Sequence, residues 1–144
     1  MDLQVKSDGG GVYTVYCPEQ MEWRARGGLV DKVREVSEGD ELTGIIVDLG
    51  NVTFLSSAGI GALFTLHEFA RERDAGLVIA RPRPSIRRLL DTVKLPDLIP
   101  TVKSLDLAHR RLAQGDARHV HTGTWVLAAV LVIYYAITTG PFMG

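Results

Sequence analysis

Apolar and polar residues alternate at Leu3-Gln4-Val5 and again through Val12-Tyr13-Thr14-Val15-Tyr16, with Asp8-Gly9-Gly10-Gly11 between them. A period of two is the mark of strands buried on one side, and glycines accept the positive φ of a tight turn, so this stretch predicts a β-hairpin. After Pro18 the period changes. From about Glu22 to Val36 the apolar positions Leu29, Val30, Val33 and Val36 fall at helical spacing among charged residues, which predicts a first helix. Gly27-Gly28 in its middle costs about 1 kcal/mol per residue relative to alanine, so its early part is expected to be irregular. Ser37-Glu38-Gly39-Asp40 ends it.

Gly44-Ile45-Ile46-Val47-Asp48-Leu49 is a short, nearly unbroken β-branched run, the pattern of a central strand. Val52-Thr53-Phe54-Leu55 extends the chain again. A helix is predicted from near Ser57 to Arg73, with Ser56 or Ser57 as N-cap and Gly76 in the C′ position after Asp74-Ala75. Gly76 to Ala80 reads as another strand. Ser85 is expected to cap a third helix, in which Ile86, Leu89, Leu90 and Val93 fall at i, i+3, i+4 and i+7. Leu98 to Val102 suggests an edge strand and Leu105 to Leu112 a last short helix.

Strands alternating with helices imply crossover connections. The predicted fold class is α/β: a single domain over residues 1–115, with a mixed sheet of four or five strands and helices packed on one face. A basic and polar linker, 116–122, follows. Charge then stops: the last charged residue is Arg118, and Thr122 to Gly144 is uncharged. As a helix, Thr122 to Met143 would be about 33 Å long against a hydrocarbon core of about 30 Å. Arg110, Arg111 and Arg118 lie on one side of it only, the positive-inside arrangement. Residues 123–143 are therefore expected to be a transmembrane tail anchor, the other reading being a helix packed on the domain or on a partner. The opening MDLQVKSDGGG lacks a basic then apolar signal pattern, which places the domain in the cytosol.

Sixteen Lys+Arg against 17 Asp+Glu give a net charge of −1, which argues against nucleic-acid binding. The lone Cys17 has no disulfide partner, and no Cys/His cluster stands at metal-ligand spacing, so no metal and no cofactor are expected. Gly59-Ile60-Gly61 continues as Ala-Leu-Phe and is not a dinucleotide fingerprint. Asp48 has no acid, His or Cys at a spacing that forms a catalytic constellation, and reads as structural. His67 beside Glu68 reads as a helix-face residue. Arg81, Arg83, Arg87 and Arg88 read as a solvated face. Nothing here points to an enzyme.

The blocks Ile46-Val47-Asp48-Leu49, Val52 through Leu63, Gly76 to Ile79, Ile86 to Leu90, Leu95 to Pro100 and Ser104 to Ala108 recur in this order and spacing in the STAS domain family. The chain resembles that family over residues 1–113. The resemblance implies a non-enzymatic regulatory domain. Its signalling members are anti-sigma-factor antagonists that bind an anti-sigma factor of the GHKL serine-kinase type and let go when phosphorylated at a serine where a strand meets a helix. The family motif reads Asp-Ser-Ser-Gly, with phosphate on the serine before glycine; here Ser56, Ser57, Ala58 and Gly59 stand there. The usual acceptor is therefore alanine, and Ser57, then Ser56, are the candidate substitutes. Ser56, Ser57, Ala58, Gly59 and Gly61 form the candidate partner surface, the small residues admitting a partner backbone. The plain alternative for both serines is helix capping. The acidic Gly-x-Leu-Asp element of the family is replaced by Cys17-Pro18-Glu19-Gln20-Met21. The second function implied is an accessory subunit of a membrane transporter, with an ATPase or permease as partner.

Overall fold

Each residue of the apolar run Gly44–Asp48 is buried, and this run forms the central strand β4 of the computed structural model. The structure describes residues 3–21, 28–114 and Ile133. The hairpin is present as β1 (Gln4–Gly9) antiparallel to β2 (Val12–Tyr16), with Gly9, Gly10 and Gly11 all at positive φ in the turn. Next to it β2, β4, β6 (Gly76–Ala80) and β7 (Thr101–Val102) run parallel, so the five-stranded sheet has the order β1-β2-β4-β6-β7. A separate parallel pair joins β3 (Gln20–Met21) to β5 (Phe54–Leu55). The helices are α1 (Gly28–Ser37), α2 (Ser57–Glu72), α3 (Pro84–Thr92) and α4 (Leu105–Ala113), with a 3-10 turn at Leu95–Asp97.

Side chains alternate across β4 and β6, and both sides are used. Ile45, Val47, Leu77 and Ile79 pack with α1, α2 and α3 through Leu29, Val33, Leu63, Leu66, Ile86 and Leu90. Ile46, Val78 and Ala80 face the other way, where Leu105, Ala108 and Leu112 of α4 cover them. The expectation of helices on one face is thus corrected: α4 lies on the second face. Fully burying an aliphatic side chain contributes about 1.5–3 kcal/mol relative to leaving it exposed, so Ile46 and Val78 call for such a cover. His109 of α4 adds a polar link, with Nδ1 2.9 Å from the Leu105 carbonyl oxygen and Nε2 3.1 Å from Asp8 Oδ2 on β1. The same carboxylate accepts from Thr14 Oγ1 on β2.

Several predicted boundaries move. The described part of the first helix begins at Gly28 rather than Glu22, with positions 22–27 outside the described residues. Helix α3 is not capped by Ser85: Arg83 takes the N-cap position without a side-chain hydrogen bond, and Pro84, whose ring presets a helical φ, opens the helix. At the end of α2 the left-handed residue is Asp74 (φ 54), and Gly76 already belongs to β6. The extended stretches before α2 and α4 contain only two paired residues each, in β5 and β7. The linker 116–122 and the tail 123–143 lie outside the described residues, except Ile133, which is buried among core side chains. Among the described residues no helix is long and apolar enough to cross a membrane.

His67 is buried on α2, and its Nε2 atom has no hydrogen-bond partner among the described residues. Burial lowers its pKa from the ordinary value of 6.5, opposed by the Glu68 carboxylate and assisted by Arg71. As pH falls, the unfolded chain therefore takes up this proton first. The stability contributed by neutral His67 is complete above about pH 6.5 and is lost as pH falls below it. The melting temperature should drop more steeply between pH 7 and pH 5 in the parent chain than in His67→Leu; parallel profiles would contradict this assignment.

Candidate functional site

Between β4 and α2 the chain is held at both ends of a short loop. Leu49 N donates to the Ala80 carbonyl oxygen at 2.9 Å, and Gly50 N donates to Asp48 Oδ1 at 2.9 Å. Val52 N then donates to the Leu49 carbonyl oxygen at 3.0 Å, closing a turn. Thr53 N and Phe54 N both donate to the Glu19 carbonyl oxygen, at 2.8 and 3.1 Å, and Ser56 N donates to that of Met21 at 3.3 Å. The approach to α2 is thereby stitched to residues 19–21.

Ser56 is the N-cap, with extended backbone (φ −79°, ψ 170°). Its Oγ accepts from Gly59 N at 3.1 Å and donates to the Met21 carbonyl oxygen at 3.3 Å. Both capabilities of the hydroxyl are used, and the side chain is partly buried. Ser57 is the first residue of α2 and is exposed; among the described residues its hydroxyl makes no hydrogen bond. Gly59 is buried where a Cβ would come 2.5 Å from the Met21 carbonyl oxygen and 2.6 Å from Leu55 Cδ1, so only glycine fits between α2 and the β3–β5 pair. Gly61 is buried as well, its carbonyl oxygen accepting from Thr65 Oγ1 at 3.0 Å. Ala58 is partly buried.

The five candidate residues therefore divide. Ser56, Gly59 and Gly61 build the helix start, and Ser57 faces outward. The first turn of α2 holds no acidic residue, so its free N–H groups and dipole remain available to an anion placed on Ser57. Sequence reasoning missed Phe54, which stands three residues before Ser57 on β5. It alternates with buried Leu55 and is 48% exposed. An exposed large aromatic side chain is a natural contact for a partner.

A second feature escaped the sequence reading. Asp48, 3% exposed at the end of β4, receives both Nε (3.0 Å) and Nη2 (2.6 Å) of Arg81. Arg81 holds a left-handed backbone (φ 58°) just beyond β6, and its pKa is raised by the hydrogen bond and charge of Asp48. A Cβ on Gly50 would fall 2.8 Å from that guanidinium. Arg83 Nε donates to the Gly50 carbonyl oxygen at 3.1 Å. Cys17 lies close by, its N–H donating to the Asp48 carbonyl oxygen at 3.2 Å. Burial, with help from the Asp48 charge, pushes its thiol up to about 12, so it is not a nucleophile near neutral pH. Among the described residues no His, Cys, Asp and Glu side chains gather as a metal site. An open groove of about 780 Å³ lies at the other end of the strands, between the α1–β4 loop and the end of α2, away from Ser57.

A family model described as the STAS domain matches residues 8–108. No curated protein sequence matches significantly. Among solved structures, the chain is similar to the anti-sigma factor antagonist SpoIIAA in its unphosphorylated form (TM-score 0.67, 14% identity, 78% of this chain and 97% of that one). It is also similar to a sulfate transporter family protein from Wolinella succinogenes (TM-score 0.64, 16% identity, 77% and 92%). A third likeness is to the murine anion transporter Slc26a9 in the inward-facing state (TM-score 0.63, 15% identity), where 75% of this chain spans 18% of the transporter. At these identities the likeness is one of fold.

Three substitutions test the local physics. Gly59→Ala should lose about 1–3 kcal/mol in urea unfolding, the usual scale for overpacking against backbone; an unchanged midpoint would show that β3 yields freely. Arg81→Ala, which strands a buried carboxylate, should destabilise by about 3 kcal/mol, more than Asp48→Asn, because the half-exposed arginine can turn to water. The reverse order would refute this account of the pair.

Proposed function

The chain belongs to the STAS domain family, and on that premise we propose that it is a non-enzymatic regulatory interaction domain working in the cytosol in the manner of an anti-sigma-factor antagonist. Its partner in this reading is an anti-sigma factor that is also a GHKL-type serine kinase. Docking takes place at the N-terminal turn of α2, and phosphorylation of Ser57 ends it. The observation that carries the reading is the division of labour at Ser56 and Ser57: one hydroxyl is committed to capping, the other is exposed and free among the described residues. A phosphate on Ser57 adds a charge of about −1.5 to −2 at a position where a helix start tolerates an anion but a closely fitted partner does not. Ser56 is the weaker acceptor, since modifying it removes a cap whose loss costs about 1 kcal/mol.

A second reading, a STAS subunit of a membrane transporter with an ATPase or permease as partner, is favoured by two observations. The family's usual acceptor position is Ala58. The fold is also similar to those of a sulfate transporter family protein and of Slc26a9. In that case Ser57 is simply the first residue of a capped helix.

Crosslinking the full chain in its own host membranes, identifying co-purifying proteins and mapping phosphosites separates the two. The switch requires a serine kinase among the partners, phosphate on Ser57, loss of that phosphate in Ser57→Ala, and at least tenfold weaker kinase binding by Ser57→Asp. Clean serines with a transporter ATPase or permease as partner would transfer the protein to transport.

A further inference from the structure

Although the net charge is only −1, charge is segregated along the strand axis. Asp31, Glu35, Glu38, Asp40, Glu41 and Asp74 outnumber Arg34 and Arg73 in the groove where β4 begins. At the opposite end, where β4 and β6 finish and α2 and α3 start, stand Arg81, Arg83, Arg87 and Arg88. Two of these four are neutralised: Arg81 by buried Asp48, and Arg87 by Asp91, with Nε–Oδ1 at 3.1 Å. The other two are not. Arg83 is held by the Gly50 carbonyl oxygen, which fixes the guanidinium without cancelling its charge. Arg88 forms no ion pair among the described residues. Both are exposed, and the first turn of α3 contains no acidic residue.

We propose that this arginine corner, at the same end of the sheet as Ser57 and Phe54, docks a carboxylate-rich segment of a protein partner. With Nε occupied by Gly50, the outer N–H groups of Arg83 remain in the planar fork that receives a carboxylate in two parallel hydrogen bonds. The shortness of the patch fits a segment with a few acidic side chains. The exposed Phe54 ring supplies an apolar contact at the same end of the sheet. The inference deepens the proposed function at one point and rests on it there: a phosphate on Ser57 weakens docking by opposing the charge of this corner.

The test is fluorescence anisotropy of a labelled peptide of alternating glutamate and alanine with the full chain in neutral detergent. Binding should weaken at least fivefold between 50 and 300 mM salt. Arg83→Gln/Arg88→Gln should weaken it at least tenfold, and Arg88→Gln alone, at an exposed helix position, should weaken it measurably with an unchanged melting temperature. Arg34→Gln, on α1, should bind like the parent. No binding, equal binding by the double variant, or displacement of the peptide by neutral-lipid vesicles as readily as by unlabelled peptide would overturn the proposal. Preference for phosphatidylserine vesicles over the peptide would also overturn it, in favour of a membrane face. If the arginine variants lose binding while Ser57→Asp does not, the docking surface stands and the phosphoserine switch fails.

Discussion

The rest of the architecture follows from the need to bury β4 and β6 on both sides. A parallel strand with β-branched side chains facing two ways exposes apolar surface unless both sheet faces are covered, and hairpin connections cannot supply the covers. Crossover helices α1 and α2 shield Ile45, Val47, Leu77 and Ile79, and α3 completes that layer. Chain remaining after β7 has to return across the other face, and α4 does so with Leu105, Ala108 and Leu112. The hairpin of β1 and β2 closes one edge, and the two-residue strand β7 the other.

The site at the start of α2 inherits its rigidity from this frame. A helix can begin so close to β3 only because Gly59 has no side chain, and the Ser56 hydroxyl spans the remaining gap to the Met21 carbonyl. The Asp48–Arg81 pair contributes position more than net stability, since taking the Asp48 carboxylate out of water offsets much of its attraction to the half-exposed Arg81. It joins the ends of β4 and β6 and orders the Gly50 turn on which the approach to Ser57 depends.

Legibility in the sequence followed the range of the physics involved. The hairpin, β4, α2 and the amphipathic α3 are written in local periodicity, and their core positions could be named directly. The side of the sheet that α4 occupies is not local: Leu105, Ala108 and Leu112 mark an apolar stripe, yet a stripe does not say which face it meets. Capping was legible to within one choice, since either serine at the start of α2 fits an N-cap, and the bonds of the Ser56 hydroxyl to Gly59 N and the Met21 carbonyl decide it. At α3 the proline outcompeted the serine because its fixed φ suits the first helical position. Arg81 reads as a surface charge because its partner, Asp48, lies far away in sequence, at the end of β4. Val52-Thr53-Phe54-Leu55 reads as a strand without revealing that Phe54 is the position that faces water.

The direction of α4 has a geometric consequence. Leu112, near its end, packs where β4 begins, within 2.9 Å of where a Cβ on Gly44 would sit, whereas Ser57 and the arginines stand where the parallel strands finish. Gln114, where α4 ends, therefore stands at the pole opposite the helix-start surface, so a partner docked at Ser57 would leave the end of α4 uncovered.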